Sequence, residues 1–162
     1  MYTRWPGLNH DLQGELTTMA IADLSSVLKI FGEKSLSEEN QKELYSEVLL
    51  MILARASSAD ANIDPVEIET IQQIMQRETG QELTEAEIRR AARPELYASV
   101  NLRKYLRSVQ RRLKADDRLT IVQALADVLK SDAKISVLEI DFFNRVADAL
   151  RITPAELAGL TG

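Results

Sequence analysis

The chain of 162 residues contains no cysteine. That absence excludes disulfides, thiolate nucleophiles and sulfur-ligated metal centres at once. Histidine occurs once, as His10, ahead of the first periodic segment. A Ser–His–Asp triad or a multi-histidine metal site would have to depend on it, and a lone histidine near a helix start reads as a surface residue. Any bound ion must therefore be held by oxygen ligands, which suits calcium, magnesium or manganese better than zinc or copper. No apolar run approaches the roughly 18 residues that a membrane helix needs, so membrane insertion is not expected. Met1–Gly7 has neither a basic start leading into an apolar stretch nor a small-residue cleavage site, and the expected location is the cytoplasm. Period-two runs of β-branched residues are also missing, which leaves strands without a signal.

What is present is ordinary for a globular chain: 45% hydrophobic and 28% charged residues, enough of both to build one core and a solvated surface. The net charge of −5 hides an asymmetry. Residues 89–118 carry ten basic and three acidic side chains, and the rest of the chain is correspondingly acidic.

Helical periodicity runs through the sequence. Leu12, Leu16, Met19, Ala20, Leu24, Val27, Leu28 and Phe31 recur at three- and four-residue steps, predicting an amphipathic helix that Gly32 stops. Ser37 is placed to cap a second helix whose first turn holds Glu38 and Glu39. Val48–Ala54 is almost wholly apolar, the mark of a central helix. Asp64-Pro65-Val66-Glu67, Thr84–Glu87, Ser136–Glu139 and Thr153–Glu156 each read as a capping box, with a capping oxygen followed three residues later by a glutamate.

The chain also repeats itself. Leu53, Ala54, Asp60, Ala61, Ile63, Glu67 and Ile68 fall in register on Leu125, Ala126, Asp132, Ala133, Ile135, Glu139 and Ile140. Leu119–Leu129 is the counterpart of the apolar central helix, and Pro65–Thr79 corresponds to Val137–Leu150. These observations predict an all-α fold, a single compact domain of seven or eight helices built from duplicated helix–loop–helix units about a pseudo-twofold axis. The expected layout over 1–162 is an N-terminal segment and helix at 1–35, a first copy at 36–92, and a basic helix with the second copy at 93–162.

The repeated turn is acidic. Asp60 and Asp132 sit at a helix C-terminus, where negative charge opposes the helix dipole. Glu67 and Glu139 follow in the first turn of the next helix. Four converging carboxylates would raise one another's pKa unless a cation lay among them. Asp60, Asn62 and Asp64 place oxygens at alternate positions, as calcium loops do, although Pro65 and Ile71 depart from the EF-hand pattern. Asp60, Asn62, Asp64, Glu67, Asp132 and Glu139 are accordingly the candidate ligands for a divalent cation (calcium, magnesium or manganese). Capping requires the same residue types, so structural roles for Asp64, Glu67, Ser136 and Glu139 stay open beside it. In the second copy Lys134 replaces Asn62 and Ser136 replaces Asp64.

The repeated pattern resembles the TerB (tellurite resistance protein B) family and the related N-terminal domain of the co-chaperone DjlA. Those proteins carry an A-D-G-x-I-x-x-x-E segment, read here as A-D-A-N-I-D-P-V-E-I at Ala59–Ile68 and S-D-A-K-I-S-V-L-E-I at Ser131–Ile140. The likeness extends over approximately Leu36 to Leu160. It implies a pseudo-symmetric helical fold, a setting in bacterial stress response, metal binding through the acids and service as an interaction module. Alanine replaces the glycine in both copies, at Ala61 and Ala133, where a left-handed turn would be strained by about 1 kcal/mol. No J-domain motif accompanies the likeness.

Pro94 is placed to start a helix running to about Lys114, with Leu102, Tyr105, Leu106, Val109 and Leu113 as its buried stripe. Arg103, Arg107 and Arg111 align on its other face as a candidate partner-binding surface. Pairing with Glu38, Glu43 or Glu47 is one reading, an acidic protein partner the next, and nucleic acid the last, since Trp5 is remote and no stacking platform is evident. Self-association stays open. The function these features support is a non-enzymatic binding or scaffold module, with no catalytic residue assigned. The alternatives are a metal-dependent hydrolase built on the carboxylates and a nucleic-acid binder using the arginine stripe.

Overall fold

Residues 36–58, 63–93 and 101–160 are described by the structure, a computed structural model. The amphipathic segment from Leu12 to Phe31, with Gly32, lies outside them, as do Asp60, Ala61, Asn62 and Pro94.

Ser37 caps the first described helix as its sequence position predicts. Its Oγ accepts from the Asn40 N–H at 3.2 Å, and Glu38 and Glu39 fill the first turn of α1, Glu38–Ser57. From Leu44 to Ser57 this helix is buried almost all round, with Val48, Leu49, Ile52, Leu53 and Ala54 at 0% exposure. A helix apolar on every side can be satisfied only by neighbours on every side. α1 is accordingly the centre of the fold.

Around it stand α2 (Pro65–Thr79), α3 (Glu85–Ala91), α4 (Leu102–Val109), α5 (Ala115–Ser131), α6 (Val137–Ala149) and the short α7 (Pro154–Leu157). The described residues thus form seven helices and no strand. All four predicted capping boxes are formed, at Asp64, Thr84, Ser136 and Thr153. Each joins a cap oxygen to an orphan N–H of the helix and returns a glutamate oxygen to the cap's own N–H. α2 ends at Gly80, whose left-handed φ of 73° no side-chain-bearing residue adopts cheaply.

The packing repeats the duplication. α1 lies against α5, so the two apolar counterparts are partners, and α2 crosses to α5 as α6 crosses to α1. One buried cluster runs through both copies: Leu53 and Leu125, equivalent by sequence, are both 0% exposed. Burying each such side chain contributes roughly 1.5–3 kcal/mol. α3 fills in against α1, and α4 against α6.

Two local expectations are revised. The basic helix is shorter than Pro94–Lys114: Asn101 caps it, its side chain accepting from the Lys104 N–H at 3.2 Å, and the helix ends at Val109 with Gln110 to Arg112 in turns. Its predicted buried stripe nevertheless stands, with Tyr105, Leu106, Val109 and Leu113 buried and Leu102 packed at the edge. The left-handed strain anticipated for Ala133 does not arise. Asp132 is already extended (φ −86°, ψ 148°), so the chain leaves α5 without a left-handed residue, and among the described non-glycine residues only Arg151 has positive φ.

Candidate carboxylate site

The site is assembled from helix ends. Asp132 is the residue at which α5 stops, and its extended backbone turns the chain toward Ser136. Ser136 caps α6: its Oγ accepts from the Glu139 N–H at 3.2 Å, and its own N–H donates to Glu139 Oε2 at 2.5 Å. In the first copy the Asp64 N–H donates to Glu67 Oε2 at 3.0 Å, while Asp64 Oδ1 accepts from the Val66 N–H at 2.9 Å. The capping roles of Asp64, Glu67, Ser136 and Glu139 are therefore real, and each box uses one oxygen of its glutamate.

Capping does not require burial, yet both glutamates are only 4% exposed. The pair comes from opposite copies, and its charges interact. Burial pushes Glu67 up to about 7; the Asp64 N–H pulls it down, and the charges of Glu139, Asp132 and Asp64 push it further up. Three of the six predicted ligands thus act on Glu67 through space, Glu139 and Asp132 from across the duplication and Asp64 from its own turn. Asp132, whose charge acts on Glu67, is exposed, so the acidic group runs from interior to surface; Lys134 is exposed as well. Asp60 and Asn62 lie outside the described residues, and among those described no group of three or more acidic or histidine side chains is arranged to hold a metal ion.

The family described as tellurite resistance protein TerB matches residues 46–161. The chain belongs to the TerB family. The match spans α2 to α7 and all but the first turns of α1, so both acidic turns and all four capping boxes lie within the TerB region. No curated protein and no solved structure matches the chain.

The basic stripe resolves differently from its sequence reading. Arg103 and Arg107 share α4, and both approach Asp148 of α6, at 3.0 Å and 3.9 Å. For Arg103 and Arg107 the carboxylate partner within the chain is Asp148. Arg111 falls in the turn beyond the helix and is exposed. Asp148 was not legible as a partner, because only the docking of α4 on α6 brings it there. No helix among the described residues is long and apolar enough to cross a membrane.

Proposed function

We propose that this TerB-family chain is a non-enzymatic binding module of a tellurite-resistance or stress-response system, acting in the cytoplasm, whose paired acidic turns take up a divalent cation. The observation that supports the reading is the burial of Glu67 and Glu139, drawn from separate copies, with the charges of Glu139 and Asp132 acting on Glu67. Two buried like charges are costly unless a proton or a cation lies between them. The donors fit a hard cation in kind, being carboxylate oxygens throughout. Capping occupies Oε2 of each glutamate; Oε1 of Glu67 and Glu139 and the carboxylate of Asp132 would supply ligands on a rearrangement that draws them together, since the described carboxylates form no ready metal group. Asp60, Asn62 and Asp64 of the first turn would complete the shell with water. Bound there, a divalent cation supplies charge neutralisation and ties the two copies together at their loops.

Isothermal titration with calcium, magnesium and manganese tests the cation. Saturable binding that Glu67→Gln and Glu139→Gln each weaken by about tenfold or more supports it, because glutamine can still close a capping box while removing the charge. Titrations without heat for all three ions, by a chain that remains folded, would overturn it.

A further inference from the structure

Where α4 docks on α6 the surface opens into a cleft of about 580 Å³. Its apolar floor is made by Leu102 and Leu106 of α4 with Leu138 and Phe142 of α6, and its rim by Arg55, Arg103 and Arg145. Leu138 is 60% exposed, so the cleft presents open apolar surface. On other sides of α6 Val137 and Ile140 are 81% and 49% exposed, whereas Ile68, the first-copy equivalent of Ile140, is 4% exposed. An apolar cleft rimmed by charge marks a docking surface.

The charge on the rim says what docks. Arg55, Arg103 and Arg145 line it and Arg107 approaches Asp148 beside Arg103, against Asp141 and Asp148, in a chain whose net charge is −5. Arg103 pairs with Asp148 and Arg145 with Asp141, both on the surface. Such exposed pairs are worth little by themselves, so their guanidinium groups remain able to engage further carboxylates once water is excluded. Among the described lining residues Phe142 is the single aromatic ring, too little for base stacking, which disfavours a nucleic acid.

We propose that this cleft binds an acidic amphipathic helix of a protein partner. The partner's apolar stripe would seat on Leu102, Leu138 and Phe142, and its carboxylates would face Arg55, Arg103 and Arg145. The proposal rests on the reading of the chain as a binding module and is independent of whether that module holds a cation.

Fluorescence polarisation of a labelled synthetic helix tests it on the full chain. The probe has leucine at i, i+3, i+4 and i+7 and glutamate on the flanking positions; a shuffled peptide of the same composition is the control. Saturable binding of the probe, weaker by roughly tenfold or more for the control, is expected. Leu138→Asp, at an exposed position of the cleft, should reduce affinity by about tenfold, and Arg103→Glu or Arg145→Glu should weaken it in a salt-dependent way. Equal binding of probe and control, or affinity unchanged in the folded Leu138→Asp variant, overturns the proposal. So does a concentration-dependent dimer in light scattering that Leu138→Asp dissolves, which would give the face to a second copy. Binding seen only after Leu16→Asp and Leu24→Asp would give it to the chain's own N-terminal segment and equally overturn it. Peptide binding without calcium, magnesium or manganese binding would fail the cation alone; cation binding without peptide binding would fail the cleft alone.

Discussion

Glu67 and Glu139 hold the same place in two capping boxes, and the charge of one raises the pKa of the other. Each closes its box by accepting from its own cap's N–H, at Asp64 and at Ser136, and each is buried. Local chemistry accounts for each glutamate separately. Their meeting belongs to the fold.

A pH dependence of stability follows from Glu67. With its value near 7 in the folded chain against an ordinary 4.5, the folded state holds a proton that the unfolded state has released over that interval. Unfolding free energy therefore falls as pH rises from about 4.5 to about 7. Denaturant melts of the cation-free protein should show lower stability at about pH 8 than at about pH 5, by up to a few kcal/mol from this group. Glu67→Gln should remove that slope; a slope unchanged in the variant would assign it to other groups.

Divalent cations should work in the opposite sense. A cation competes with the proton for Glu67, so calcium, magnesium or manganese should raise the melting temperature more at about pH 8 than at about pH 5. Thermal scans of the wild-type chain and of Glu139→Gln read this directly. An increase that is the same at both pH values would argue that the ion binds elsewhere.

The caps can be weighed one at a time. Ser136→Ala removes an acceptor for the Glu139 N–H and should cost about 1 kcal/mol in urea unfolding. Gly80→Ala should cost a similar amount for a different reason. No atom lies within 4 Å of the added Cβ, so the penalty comes from the φ of 73° alone.

Equivalence of the two copies is testable in the core. Leu53→Ala and Leu125→Ala delete corresponding side chains, both 0% exposed, and each should destabilise the chain by roughly 2–5 kcal/mol. A loss below about 1 kcal/mol at either would show that its copy is packed loosely.

Removing the surface carboxylate Asp148 should have little effect. Arg103 and Asp148 are 59% and 61% exposed, and Asp148→Ala should change stability by less than about 1 kcal/mol. A larger loss in the same unfolding assay would mean that the α4–α6 contact depends on this charge.

The sequence was most legible where structure is decided within a turn or two. Asp64, Thr84, Ser136 and Thr153 announce their helices because a cap needs only an oxygen and a glutamate three residues on. α4 begins instead at Asn101, whose side chain accepts from the Lys104 N–H, a weaker signal in the sequence than a proline. Ala133, at a position where the resembled family has glycine, needs no left-handed turn because Asp132 already takes an extended backbone.

By itself, then, the sequence determined the helical class, the duplication, the caps, and the central place of the apolar Val48–Ala54, because periodicity and capping are short-range and print directly into residue order. Only the tertiary structure decided that Glu67 is buried within reach of Glu139 and Asp132, that Arg103 and Arg107 meet Asp148, and that Ile68 is covered while Ile140 is open. Those outcomes depend on which faces of distant helices pack together. Burial and the electric field at a side chain are properties of that packing, and residues far apart in sequence create them.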